Sequence, residues 1–105
     1  MVFNYTLHQM KDETDREKKY QMLSKLVEKF GKVDKNDYEK TYSDVVEGVD
    51  RDHLLENLYY TFNADHPRDF IGRSLSVGDV IELESITCES HFYYCDLIGF
   101  KKIDF

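Results

Sequence analysis

"HPRDFIGRSLSVGDVIELE", residues 66–84, holds the only proline of the chain and two of its five glycines. The hydrophobic pattern changes period across it. Upstream, "DRDHLLENLYYTFNADH" places Leu54, Leu55, Leu58, Tyr59 and Phe62 on one stripe. That spacing predicts an amphipathic helix over 51–63, with Asp50 as its N-cap. The helix must end before Pro67, because a residue preceding proline avoids helical angles. Downstream, "GDVIELESI" follows a Val77-Gly78-Asp79 turn and sets Ile81 and Leu83 on one face of a strand. The stretch between reads as a structural connector built on Pro67, Asp69, Gly72, Ser74, Ser76 and Gly78. Proline stops the helix, glycines permit tight turns, and short polar side chains satisfy backbone donors. Asp69 is expected to accept N–H groups from residues 70–72, and Asp79 to close the turn that starts the next strand.

Working outward, "HFYYCDLIGFKKIDF" predicts a strand through 92–97, a bend at Gly99 and a short finish over 101–105. The polar loop "TCES" makes the two tail strands an antiparallel hairpin. At the other end, "VFNYTLHQM" alternates with period two and predicts a strand over 2–9. "DETDREKKYQMLSKLVEKFG" changes to helical spacing, with Tyr20, Leu23, Leu26, Val27 and Phe30 in one stripe. Thr14 and Glu17 fit a capping box and Gly31 a left-handed stop, so a helix is expected over 14–30. "VDKNDYEKTYSDVVEG" admits both a helical stripe through Tyr38, Tyr42 and Val45 and an alternation through Tyr38, Lys40 and Tyr42, and is read as a short strand over 38–43. The order β-α-β-α-β-β implies one α+β domain over 1–105, with an antiparallel sheet of about four strands and two helices on one face. A chain of 105 residues leaves little room for a second core.

Composition narrows the function classes. Fourteen Lys and Arg against 21 Asp and Glu leave a net charge of −7. Residues 51–105 carry most of the excess, with five basic and ten acidic side chains. Between Ser74 and Phe100 there are five acids and no Lys or Arg. Phosphate neutralisation supplies most nucleic-acid affinity, so this surface is expected to reject nucleic acid and to attract basic protein surfaces. No run reaches the roughly 18–20 apolar residues of a membrane span, and the N-terminus lacks the order of a secretory signal. A soluble, cytoplasmic protein is expected.

The connector and tail together carry a family pattern. "FNADHPRDFIGRSLSVGDVIEL" followed by "FYYCDLIGFKKIDF" resembles the YodL-like domain, through Phe62, Asn63, Pro67, Asp69, Phe70, Gly72, Ser74, Leu75, Ser76, Val77, Asp79 and Val80, then Tyr93, Tyr94, Asp96, Gly99 and Phe100. Upstream, "DYEKTY" and "YTLHQM" are similar to the family's earlier elements. Two positions depart from the pattern: Arg73, where the resemblance implies histidine, and Cys95, where it implies an aliphatic residue. The resemblance implies an origin on conjugative transposons, plasmids and prophages of Gram-positive bacteria. It carries over no catalytic residue.

Three constellations invite chemistry, and spacing speaks against each. Gly72 and Gly78 are six apart with no lysine after them and lead into a strand, so they do not make a phosphate loop. Ser74, Ser76, His66 and Asp79 supply the residue types of a hydrolase without a nucleophile elbow. Cys88, His91 and Cys95 form a Cys-x-x-His-x-x-x-Cys string, but structural zinc sites show paired ligands, and alternation puts Cys95 on an apolar face. No metal and no cofactor is expected. The aromatics Tyr59, Tyr60, Phe62, Phe70, Phe92, Tyr93, Tyr94, Phe100 and Phe105 exceed what so small a core holds comfortably. Without interleaved basic residues the surplus suits a protein interface better than stacked bases.

The expectation is therefore a non-enzymatic accessory protein of a mobile element. It would bind a host or element-encoded protein through an acidic, tyrosine-rich hairpin comprising Asp79, Glu82, Glu84, Glu89, Tyr93, Tyr94 and Asp96. In its concrete form it would block a nuclease's basic surface by charge mimicry. The alternative is a nucleic-acid-associated or metal-dependent enzyme of element transfer, built on His66, Asp69, Ser74, Cys88, His91 and Cys95.

Overall fold

The computed structural model describes residues 2–87 and 89–105. Five strands form one antiparallel sheet: β1 (Val2–Met10), β2 (Tyr38–Glu47), β3 (Val80–Glu84), β4 (Ser90–Cys95) and β5 (Phe100–Ile103). Their spatial order is β2-β1-β3-β4-β5. Two α-helices, α1 (Leu23–Phe30) and α2 (Arg51–Ala64), lie in the β1–β2 and β2–β3 connections. Both β2 and β3 run antiparallel to β1, so α2 carries the chain across β1. The α+β class holds, with five strands rather than about four. The region read as a strand over 38–43 is indeed a strand, extended to Glu47 by the bulge at Thr41, where Leu7 faces Tyr42 and His8 faces Lys40.

The expectation that both helices share one face is corrected. Alternation along β1 sends Tyr5 and Leu7 to one face and His8 and Met10 to the other. Tyr5, Leu7, Ile81, Leu83, Tyr93 and Cys95 pack with Leu55, Leu58 and Phe62 of α2. Met10, Val80 and Tyr94 pack with Leu26, Leu23 and Phe30 of α1. Each helix covers its own face. The physical reason is visible in β4, where Phe92, Tyr93, Tyr94 and Cys95 form an unbroken apolar run that only a sheet covered on both sides can bury.

The α2 prediction is met closely: Asp50 caps the helix by accepting from the His53 N–H at 3.0 Å. The α1 prediction is met only in its second half. Residues 16–20 are turns, and Tyr20 has φ 60°. The capping box does not form, because the buried Thr14 hydroxyl instead donates to the Asp37 carbonyl at 3.0 Å. Apolar spacing begins only at Tyr20, so nothing before it offers a face to bury. The helix then starts with a borrowed cap: Asp96, at the β4–β5 turn, accepts from the Leu23 N–H at 3.2 Å. Gly31 ends it as expected, at φ 89° with its N–H bonded to Val27.

Candidate interaction surfaces

The connector folds around Asp79, which is 1% exposed. One of its oxygens, Oδ2, accepts from the Ser76 N–H at 2.9 Å, from Arg73 at 3.0 Å and from the Gln9 amide at 3.2 Å. The Asp79 N–H donates to Ser76, and its carbonyl accepts from Cys95, so the turn and the strand edge close together. Burial raises the Asp79 carboxyl above the ordinary value, with Arg73, Ser76 and Gln9 pulling the other way. Turn closure by Asp79 is thus as expected, while Asp69 does something else: it accepts the Tyr42 hydroxyl at 2.8 Å, because Phe70 N–H already bonds Pro67. Gly72 is needed for close approach, since a Cβ there would sit 2.8 Å from Gln9 Oε1 and 2.9 Å from the Phe70 ring. Gly78 has φ 102°, and its carbonyl accepts the buried Tyr38 hydroxyl at 2.5 Å. Arg73, the departure from the family pattern, is therefore the partner of the buried carboxylate.

The residues expected to bind a partner scatter. Asp79, Tyr93 and Tyr94 are buried, and Tyr94 is 0% exposed with its hydroxyl donating to Gln21. Arg51 donates to the Tyr93 hydroxyl at 3.0 Å. Asp96 caps α1. Glu82, half-buried, accepts from Ser90 at 3.0 Å and contacts buried His8 at 2.9 Å. Burial lowers the His8 pKa, partly offset by Glu82. Glu84 and Glu89 remain turned outward: Glu84 accepts from Asn4, and Glu89 meets His91 at 3.2 Å.

Two surfaces emerge from this scatter. The first is the half of the α1 face that α1 does not reach. Strand register sets Val45, Asn4, Glu84 and Ser90 in one row, and Ser43, Thr6 and Glu82 in the next. Glu47 stands opposite Val2 at its end. Val45 is 56% exposed, and the Thr6 and Ser43 hydroxyls hydrogen-bond to each other at 3.0 Å. The row beyond these, which runs through His8, carries Lys40 at one end and Lys101 at the other. A β-sheet surface of short polar side chains and carboxylates is flat, hydrated and negative.

The second surface lies on the α2 face. A groove of about 450 Å³ runs between α2 and the β4–β5 turn, lined by Glu56, Tyr59, Tyr60, Asp96, Leu97 and Phe100 among others. Tyr59 and Phe100 meet edge to face at 6.1 Å, and Tyr60 is 68% exposed. Ile98 at the turn tip is 86% exposed. The surplus of aromatics in the sequence was the signal for this groove; Glu56 and Leu97 carried no signal of their own.

The chemical constellations do not assemble. His66 contacts the Pro67 carbonyl and the Phe70 ring, and neither Ser74 nor Ser76 hydroxyl hydrogen-bonds a histidine. His91 and Cys95 share a face of β4 four residues apart, about 13 Å along the strand, too far to share one ion. Cys88, the third member of that string, lies outside the described residues. Burial raises the Cys95 thiol well above its ordinary value, so it packs as a small apolar group. Among the described residues, no helix is long and apolar enough to cross a membrane.

No curated protein and no solved structure is similar enough to the chain to count as a match. A family model does match, that of the YodL-like domain, over residues 4–105. That span takes in all the strands but for the first residues of β1, both helices and the whole connector, including the positions that carried the resemblance. With essentially the full length matched, the chain belongs to the YodL-like domain family.

Proposed function

We propose that this protein is a non-enzymatic binding module whose uncovered sheet face docks on a basic protein surface. The carrying observation is the half-face beyond α1, where Glu47, Glu82 and Glu84 stand among Asn4, Thr6, Ser43 and Val45 with no Lys or Arg in their rows among the described strand residues. Two properties support it. The carboxylates are spaced by strand register, so they present a fixed array that needs no ordering on contact. Their sign favours a cationic partner and speeds its approach. Val2 and Val45 supply apolar area at the edge of the array.

The proposed partner is a host or element-encoded protein, in keeping with the mobile-element origin that the resemblance implies, and a nuclease's DNA-binding surface is the concrete case. Of the expected hairpin's acids, Glu82 and Glu84 stand on this face and Glu89 flanks it at the hairpin loop beside His91, while the tyrosines serve the core.

Affinity capture with the wild-type protein should recover a partner whose retention falls as salt rises. The variant Glu47→Lys, Glu84→Lys, Glu89→Lys should lose it. Glu82 is left intact because its carboxylate serves His8 and Ser90. Undiminished recovery of the same partner by the variant contradicts the reading.

A further inference from the structure

The α2 face carries a second opening, independent of the acidic array. Strand β5 ends the sheet, so one of its two edges is unpaired among the described residues. Which groups are free follows from its neighbour. Cys95 directs its N–H to Asp79 and its carbonyl to Gly78, away from β5. Its register partner Phe100 therefore points its own N–H and carbonyl outward, and alternation gives Lys102 the same orientation. Both side chains lie on the α2 face, where Phe100 lines the groove. The free backbone groups and the apolar groove thus belong to the same residues.

Charge marks the two ends of this line. Glu56 and Asp96 lie at the groove. Lys102 stands beside Tyr93, whose hydroxyl accepts from Arg51. A second copy of β5 is a poor occupant, because Lys101 and Lys102 would face like charges.

We propose that the β5 edge takes an extended segment of a partner protein as a sixth strand, with an apolar side chain in the groove beside Phe100. The segment places an acidic residue next to Lys102 and a basic residue toward Asp96 and Glu56, on alternate positions of one face. Backbone pairing supplies affinity and the alternate side chains supply specificity. The aromatic walls Tyr59, Tyr60 and Phe100 strengthen the hold on the cation.

The test uses three fluorescein-labelled synthetic heptapeptides: one with Glu, Phe and Lys at alternate positions, one with that order reversed, and one with the same residues scrambled. Saturable binding is expected for one chain direction of the patterned peptide, tighter than the scrambled one by about tenfold or more. Lys102→Pro removes an outward N–H without touching the internal ladder and should abolish binding. Glu56→Lys, an exposed helix substitution, should weaken it by about tenfold and keeps the test readable if the proline variant misfolds. Equal binding of the scrambled peptide, no binding in either direction, or undiminished binding by folded Lys102→Pro overturns the proposal. The Glu47→Lys, Glu84→Lys, Glu89→Lys protein should bind the peptide normally, which separates failure here from failure of the acidic-face reading.

Discussion

The two faces of the sheet are covered unequally, and the inequality organises the molecule. On one side, α2 has 14 residues and buries Leu54, Leu55, Leu58 and Phe62. The connector adds Phe70 and Leu75 to that core. On the other side, α1 has 8 residues, buries Leu26 alone, and borrows its first cap from Asp96. A helix of two turns rises about 12 Å, so it spans only part of a nine-residue strand. What the short helix leaves bare is the acidic array. Stability is concentrated under α2, and the proposed recognition surface lies where α1 falls short.

That contrast can be broken by mutation. The largest effect is expected at Phe62, which is fully buried among Tyr5, Tyr42 and Phe70 rings. Phe62→Ala should cost about 3–5 kcal/mol by chemical denaturation, and Leu26→Ala under α1 should cost less. A larger loss at Leu26 would reverse the assignment of the main core. Next is the connector that seals the α2 side. Asp79→Ala removes the acceptor of the Ser76 N–H and one of the bonds of the buried Gln9 amide, which keeps the Arg73 carbonyl at 2.9 Å, and should cost about 2–3 kcal/mol, with Arg73→Ala milder because its side chain is partly exposed. Gly72→Ala forces a Cβ against Gln9 and Phe70, and a loss of about 1–3 kcal/mol is expected in the same assay.

His8 sits at the boundary between the covered and bare halves of the α1 face, against Phe92 and Phe105. Its folded pKa lies below its ordinary value of 6.5. The neutral ring is favoured by folding, so its contribution is fully present above pH 6.5 and is lost as pH falls through the lowered value. Thermal melts between pH 7.5 and 5 should show wild type losing stability relative to His8→Gln, which keeps a donor for Glu82 without titrating. Parallel curves would mean that the ring titrates alike in the folded and unfolded chain, contradicting the lowered pKa. The smallest effect belongs to the array itself: Glu84→Lys and Glu47→Lys should each change stability by no more than about 0.5 kcal/mol.

Where the chain repeats with one period, the sequence is transparent. α2, its Asp50 cap, β1 and the β3–β4 hairpin are all readable from spacing. The first half of the predicted helix over 14–30 fails because Thr14 satisfies a distant carbonyl, a choice that depends on residue 37 being nearby. The division of the helices between faces had one local sign, the unbroken run 92–95, which was readable as a strand buried on both sides. The same run explains the misplaced binding residues. Tyr93 and Tyr94 look like interface tyrosines by composition, yet each finds a hydroxyl partner inside the fold, Arg51 and the Gln21 carbonyl. Charge in a linear stretch does not reveal which acid is a surface group, a cap or a turn. Glu84, Asp96 and Asp79 fill those three roles within one segment.

The acidic face is tested most directly by labelling carboxylates with carbodiimide and glycinamide, with and without the captured partner, and reading the sites by mass spectrometry. The account predicts protection of Glu47 and Glu84 on complex formation, with Asp52 and Asp65 of the α2 side labelled as before. Unchanged labelling of Glu47 and Glu84 in the presence of a bound partner would contradict it.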